Sequence, residues 1–163
     1  MLEVKYQTDI PSEISEETKR AVVKLLIKQN KVRDPSIEKL NRCKWLCLCK
    51  VNGIIVSIGA IKPATTSDFD KEHSNLPHLK SNFRFELGYC YTEPDHRGKG
   101  YSSSIVRKLI EMESVVNLIA STEIRKDNRM VHILEKNNFA RQGEQWKSGI
   151  HGRALGLYVR KMT

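Results

Sequence analysis

Apolar residues recur along the chain with two periods, and the switches between them mark alternating strands and helices. Leu2 to Thr8 alternates weakly and predicts a short strand. Ser15 followed by Glu16 and Glu17 has the form of a helix N-cap, with acidic residues where they meet the positive end of the helix dipole. Ala21, Val22, Leu25 and Leu26 follow at helical spacing, so residues 15–30 read as a helix. Pro35 suits the first position of a short second helix ending near Arg42. Lys44–Lys50 and Ile54–Ile61 are two apolar runs joined through Val51-Asn52-Gly53, and Asn-Gly supplies the two positive φ angles of a type I′ hairpin turn. Residues 63–82 are polar and turn-rich, a length of loop that is usually functional or mobile. Phe83–Thr92 predicts a strand, Glu93–Gly100 a charged, glycine-containing turn, and Ser102–Met112 a helix with the stripe Ile105, Val106, Leu109, Ile110. Val115–Ser121 predicts a buried strand and Asp127–Asn137 a helix with Met130, Val131 and Leu134 on one face. Phe139–Trp146 and Ala154–Arg160 predict a last pair of strands around a Gly149–Gly152 turn. Strand, two helices, three strands, helix, strand, helix, two strands is the order of a mixed α/β layer fold with crossover connections.

The 163 residues suit one domain, and a chain of this size buries roughly two-thirds of its unfolded surface, enough for a core without staples. No apolar run approaches the length of a membrane span, and the N-terminus lacks the basic-then-apolar pattern of a secretory signal. The cysteines at 43, 47, 49 and 90 match neither a zinc knuckle nor a disulfide framework. Cys47 and Cys49 share a strand face with Trp45, so they read as reduced, packed thiols of a cytoplasmic protein. The histidines show no metal-ligand spacing, so no metal is expected. The formal net charge of +9 raises the question of a nucleic acid, a phosphorylated ligand or plain solubility.

One turn narrows that question. Pro94-Asp95-His96-Arg97-Gly98-Lys99-Gly100-Tyr101-Ser102 lies between a predicted strand and a predicted helix. Its glycines permit close backbone approach, the helix start offers unpaired N–H groups, and Arg97 and Lys99 add charge, which together make an anion cradle. The spacing fits neither a Walker A loop nor a dinucleotide fingerprint.

At this turn the chain resembles the GNAT (Gcn5-related) N-acetyltransferases. Their acetyl-CoA motif runs Gln or Arg, two residues, Gly, one residue, Gly or Ala, and here it reads Arg97-Gly98-Lys99-Gly100-Tyr101-Ser102, with Ser in the last place. Cys90-Tyr91-Thr92-Glu93-Pro94 is similar to the family's preceding strand end. Asp127-Asn128, followed by Leu134-Glu135-Lys136-Asn137-Asn138-Phe139, is similar to its last helix-to-strand segment. The resemblance implies a single domain over residues 1–163, with a mostly antiparallel sheet of about seven strands flanked by about four helices. It implies acetyl-CoA as cosubstrate, splayed fourth and fifth strands that hold the pantetheine arm, and backbone groups near Cys90, Tyr91 and Thr92 that orient the thioester. Amides from Gly98 to Ser102 would bind the pyrophosphate, and Asp127 or Asn128 would contact the cofactor from the helix start.

Acyl transfer to an amine needs a neutral nitrogen, an oxyanion donor and a tolerable leaving group. The family often has a glutamate at the start of the fourth strand, which here is Glu86, the expected base; Glu93 is the weaker candidate. The tyrosine that the family often uses as acid falls on Leu134. His132 aligns with the polar face of its helix and reads as a solvated residue.

The resulting expectation is an acyltransferase acting on a primary amine of a small molecule, a protein N-terminus or a lysine. An RNA-directed acetyltransferase or RNA-binding module is motivated by the charge, but no basic block interleaves with aromatics. A silent acyl-CoA sensor is motivated by Leu134 and Ser102. The last hairpin offers exposed strands for pairing across a homodimer.

Overall fold

The protein is described here from a computed structural model covering residues 1–114 and 116–161. Its elements are β1 (Val4–Asp9), α1 (Glu16–Gln29), α2 (Ile37–Asn41), β2 (Trp45–Val51), β3 (Ile54–Pro63), β4 (Phe85–Thr92), α3 (Tyr101–Met112), β5 (Leu118–Glu123), α4 (Arg129–Lys136), β6 (Ala140–Lys147) and β7 (Ala154–Arg160). The strands form one seven-stranded sheet in the order β1-β2-β3-β4-β5-β7-β6. The β4–β5 pair is parallel, which needs a crossover connection, and the last strand inserts antiparallel between β5 and β6. Among the described residues no helix is long and apolar enough to cross a membrane.

The chain divides into two compact units, Met1–Lys62 with Leu87–Glu113, and Pro63–Glu86 with Ser114–Thr163. In the first unit, Ser15 caps α1 by accepting from the Thr18 amide, and Asn30 ends the helix in the left-handed conformation. The α1 stripe Val22 and Leu26 packs with Leu40 of α2 on Leu46, Leu48, Ile58 and Ala60. The β2–β3 hairpin turns at Asn52 and Gly53, with φ of 51° and 82°. Gly59 lets α3 approach β3, since a Cβ there would sit 2.7 Å from Ile105 Cγ2. Glu113, buried at the end of α3, accepts from the Trp45 indole at 2.8 Å and pairs with Lys44. The four cysteines are free; Cys43, Cys47 and Cys49 are buried and Cys90 is half-buried. Burial pushes the Cys43 and Cys90 thiols up to about 12, so both stay protonated at neutral pH.

In the second unit the core is Phe69, Phe83, Ile119, Trp146, Leu157 and Val159. The polar segment 63–82 is tied down rather than loose. It winds two 3-10 turns, Thr66–Phe69 and Pro77–Asn82, and Phe69 is fully buried against Phe83 at a ring separation of 5.7 Å. Its far side rests on the bulge of β6, where the Glu144 amide donates to Ser74 O at 2.9 Å.

Several boundaries differ by one or a few residues from the sequence reading, and four of these differences bear on caps and strand starts. Pro35 does not open α2; Ser36 does, because its hydroxyl accepts from the Lys39 amide. β5 begins at Leu118 and runs on to Glu123, while Val115, at the start of the expected strand, lies outside the described residues. Asn128 caps α4, so the helix starts at Arg129 rather than Asp127. β4 begins at Phe85, two residues after the expected start.

Gly143 sits in the β6 bulge at φ 72°, and a Cβ there would lie 2.3 Å from Ser74 O. Gly53 is also left-handed but has nothing within 4 Å. Both alanine variants incur the backbone penalty of about 1–2 kcal/mol, and only Gly143→Ala adds a backbone clash. Chemical denaturation should therefore find Gly143→Ala destabilised beyond Gly53→Ala by at least about 1 kcal/mol; equal losses would show that the strap at Ser74 yields freely.

Candidate functional site

The glycine turn after β4 builds the feature the sequence pointed to. Gly98 and Gly100 have φ of 79° and 81°, conformations that a β-carbon disfavours. Gly100 is the N-cap of α3 and provides no side chain, and no side chain caps this helix start. The first intrahelical bond runs from the Ser104 amide to Gly100 O at 3.1 Å, so the amides of Tyr101, Ser102 and Ser103 have no partner within the helix. A Cβ built on Gly100 would meet nothing within 4 Å, so the turn is open at this glycine. Lys99 is exposed on the turn, and the Arg97 guanidinium lies 5.8 Å from the Tyr91 ring. Helix dipole, bare amides and two cationic residues give this place the chemistry of an anion site.

Behind the cradle, β4 is irregular. Tyr89, in the middle of the strand, has φ of 55°, a left-handed conformation that is costly for a bulky residue. Beyond it, three consecutive carbonyls each accept from a side chain. Gln29 Nε2 donates to Cys90 O at 2.9 Å, Ser57 Oγ to Tyr91 O at 3.1 Å and Arg97 Nε to Thr92 O at 3.0 Å. The donors come from α1, β3 and the glycine turn. Of the backbone groups expected to orient a thioester, the carbonyls of Cys90 and Thr92 thus already have donors from the chain itself.

Ser102, the departure from the family motif, is absorbed by a hydroxyl relay. Ser57 Oγ lies 2.7 Å from Thr92 Oγ1, which lies 2.7 Å from Ser102 Oγ. Each hydroxyl has one hydrogen. That of Ser57 goes to Tyr91 O, so Thr92 must donate to Ser57 and Ser102 to Thr92. The Ser102 hydroxyl hydrogen is therefore directed into the protein, and its backbone amide is the group left for a ligand.

The remaining sequence candidates have defined places. Glu86 is 7% exposed, belongs to the second unit and accepts from the Thr65 amide at 2.7 Å. Glu93 pairs with Lys28 at 2.9 Å, and the Lys28 ammonium holds its carboxyl below the usual range against a smaller opposing push from burial. A carboxylate so stabilised is a poor proton acceptor. Asn128 spends its side chain on structure, with Oδ1 accepting from the Met130 amide and Nδ2 donating to Glu123 O at 2.7 Å and Thr122 Oγ1 at 3.1 Å. The Asp127 side chain is 82% exposed, with Arg125 at 3.9 Å. Leu134 is a fully buried core residue. His132 is exposed beside Lys126 O. Lys108 reaches over the Tyr6 ring and Arg125 pairs with Glu123, so these charges have protein partners.

The sequence reading missed Tyr89 and Gln29. Nothing in a strand pattern marks a non-glycine residue as left-handed, and Gln29 meets Cys90 across 61 residues of chain.

No family model and no curated protein matches the sequence. Solved structures do match. ElaA of Escherichia coli aligns with a TM-score of 0.71 at 14% identity, over 98% of this chain and all of its own. An acetyltransferase of the GNAT family from Streptococcus pneumoniae aligns at 0.67 and 14%, over 99% and 100% of the two chains. A chain of the NatC complex bound to Gag peptide and CoA aligns at 0.69 and 16%, over 99% of each chain. The protein has the fold of the GNAT N-acetyltransferases.

Two outcomes follow from the hydrogen-bond pattern. Ser102→Ala removes only the outer donor of the relay and should lower stability by about 0.5–1.5 kcal/mol. Ser57→Ala takes the Ser57 donor from the Tyr91 carbonyl and the acceptor from the Thr92 hydroxyl hydrogen, and should cost about 1–3 kcal/mol; denaturant titration that ranks Ser102→Ala as the worse would reverse the deduced direction. Separately, the lowered Glu93 carboxyl contributes stability that is present above the unfolded value of about 4.3 and is lost as pH falls through the lower folded value. Melting temperatures taken across the acid range should therefore fall less steeply for Glu93→Gln than for the wild type, and parallel curves would show that the pair contributes nothing.

Proposed function

We propose that the protein is an acyltransferase that moves the acetyl group of acetyl-CoA directly to a primary amine. The observation that carries this reading is the α3 N-terminus without a side-chain cap, reached through left-handed Gly98 and Gly100. A pyrophosphate fits such a cradle, with the amides of Gly98 to Ser102 as donors and Arg97 and Lys99 as counter-charge. The NatC neighbour, solved with a peptide and CoA, supports the same cosubstrate and makes a peptide a fitting acceptor.

Acetyl-CoA, when bound, supplies an activated acyl carbon and a thiolate leaving group. The chain's part is to hold the phosphates, orient the carbonyl along β4 and accept a proton from the attacking amine. Glu86 is the proposed base: it is buried, and its Oε1 is fixed by the Thr65 amide. Glu93 is set aside because its ion pair with Lys28 lowers its basicity. The buried Leu134 offers no acid, and a thiol of pKa near 8.5 leaves without one at modest cost.

Calorimetric titration should show acetyl-CoA binding that weakens at least about tenfold in Gly100→Val, because a β-branched residue resists the left-handed conformation that shapes the turn. CoA release, followed with a thiol reagent across small amines and peptides with free N-termini, should depend on the acceptor and rise with pH as the amine loses its proton. Glu86→Gln should lower kcat by roughly 10²-fold or more with little change in acetyl-CoA affinity. A wild type that binds no acetyl-CoA would end this reading.

A further inference from the structure

We propose that Gln29, the last residue of α1, is a positioning residue that sets the β4 backbone against the thioester carbonyl. This rests on the acetyl-CoA reading above. The left-handed Tyr89 turns the β4 backbone immediately before Cys90. A strained conformation of this kind persists only where its surroundings enforce it. The first enforced group after the bend is the Cys90 carbonyl, and its donor is Gln29 Nε2 at 2.9 Å. In an extended strand the N–H and C=O of one residue face the same side, so fixing Cys90 O also sets the direction of the Cys90 N–H, while Tyr91 faces Ser57 of β3. A pre-aimed backbone amide is the kind of donor that a developing oxyanion uses.

The chemistry of Gln29 shows that the bond matters more than the residue's own comfort. Its Oε1 is buried without a hydrogen-bond partner. A residue placed there for packing alone would be apolar, whereas here one buried polar atom is left unsatisfied while the other grips the strand. The neighbouring Lys28 reaches Glu93 at 2.9 Å, so the last turn of α1 holds β4 at both ends of the Cys90–Glu93 stretch. Only the Gln29 contact touches the peptide next to the bend. A change in how α1 packs would reach the strand through this bond.

The test uses acetyl-CoA labelled with 13C at the carbonyl, read by difference infrared spectroscopy on the full chain, so that no acceptor needs to be known. Wild type should shift the bound carbonyl band to lower frequency than in solution. Gln29→Met, which keeps length and packing but has no N–H, should return the band toward its free position while the acetyl-CoA Kd changes by less than about threefold, since the cradle is untouched. With any productive amine, kcat should fall about tenfold or more with KM for acetyl-CoA held. Lys28→Met should leave the band in place. If Gln29→Met does not fold, Gln29→Glu, which keeps the shape and presents only acceptors at neutral pH, should give the same loss. An unshifted wild-type band, or a band that stays shifted in the folded variant, overturns the proposal. Absence of acetyl-CoA binding to wild type overturns the functional reading instead.

Discussion

A carbonyl inside a sheet has to find a donor, and past Tyr89 three in succession find theirs on side chains. Gln29, Ser57 and Arg97 supply them from a helix end, a neighbouring strand and a glycine turn. This arrangement ties together parts of the chain that have little else in common. α1 must end where its last residue reaches Cys90. β3 must present a small hydroxyl at 57 rather than one more apolar residue. The glycine turn must fold back far enough for Arg97 to touch Thr92. Each requirement constrains the start of α3, because Ser102 is joined to the same network through Thr92.

The network also gives the departure at Ser102 a physical reading. Ala or Gly at this place would leave the Thr92 hydroxyl without its outer donor, and Ser fills that role while staying small. The hydrogen count, one per hydroxyl, is what fixes the direction. A motif letter that looked like a blemish is the end of a chain of bonds that begins on β3. The buried Leu134 is a different kind of departure, since core packing stands where the family often has a tyrosine.

Most elements were legible because their signals are local. Ser15 with its acidic first turn, Asn52-Gly53, the α3 stripe and the Gly98–Gly100 turn each depend on residues a few positions apart, and each folds as read. What stayed hidden depends on distant partners. Segment 63–82 looks like loose polar chain until Phe69 meets Phe83 and Ser74 meets the β6 bulge. The insertion of β7 between β5 and β6 follows from pairing, which no single strand announces. By resemblance Asn128 reads as a ligand contact, and its place as a helix cap depends on Met130, Glu123 and Thr122.

The excess of positive charge divides along the same line. Basic residues with protein partners, such as Lys28, Lys44, Lys108 and Arg125, are held by carboxylates or aromatic rings and contribute to the fold. Lys99 stands exposed at the turn, and Arg97, also an exposed residue, is braced by its Nε on Thr92 O and by the Tyr91 ring. A charge braced in this way loses little freedom when an anion arrives, so two residues at a helix start can matter more for ligand binding than a larger number spread over solvated faces. Net charge is thus a weak guide to the partner, and the local backbone that the charge sits on is the stronger one. In this chain that backbone is a left-handed glycine pair opening a helix, whose position is fixed by the strand behind it.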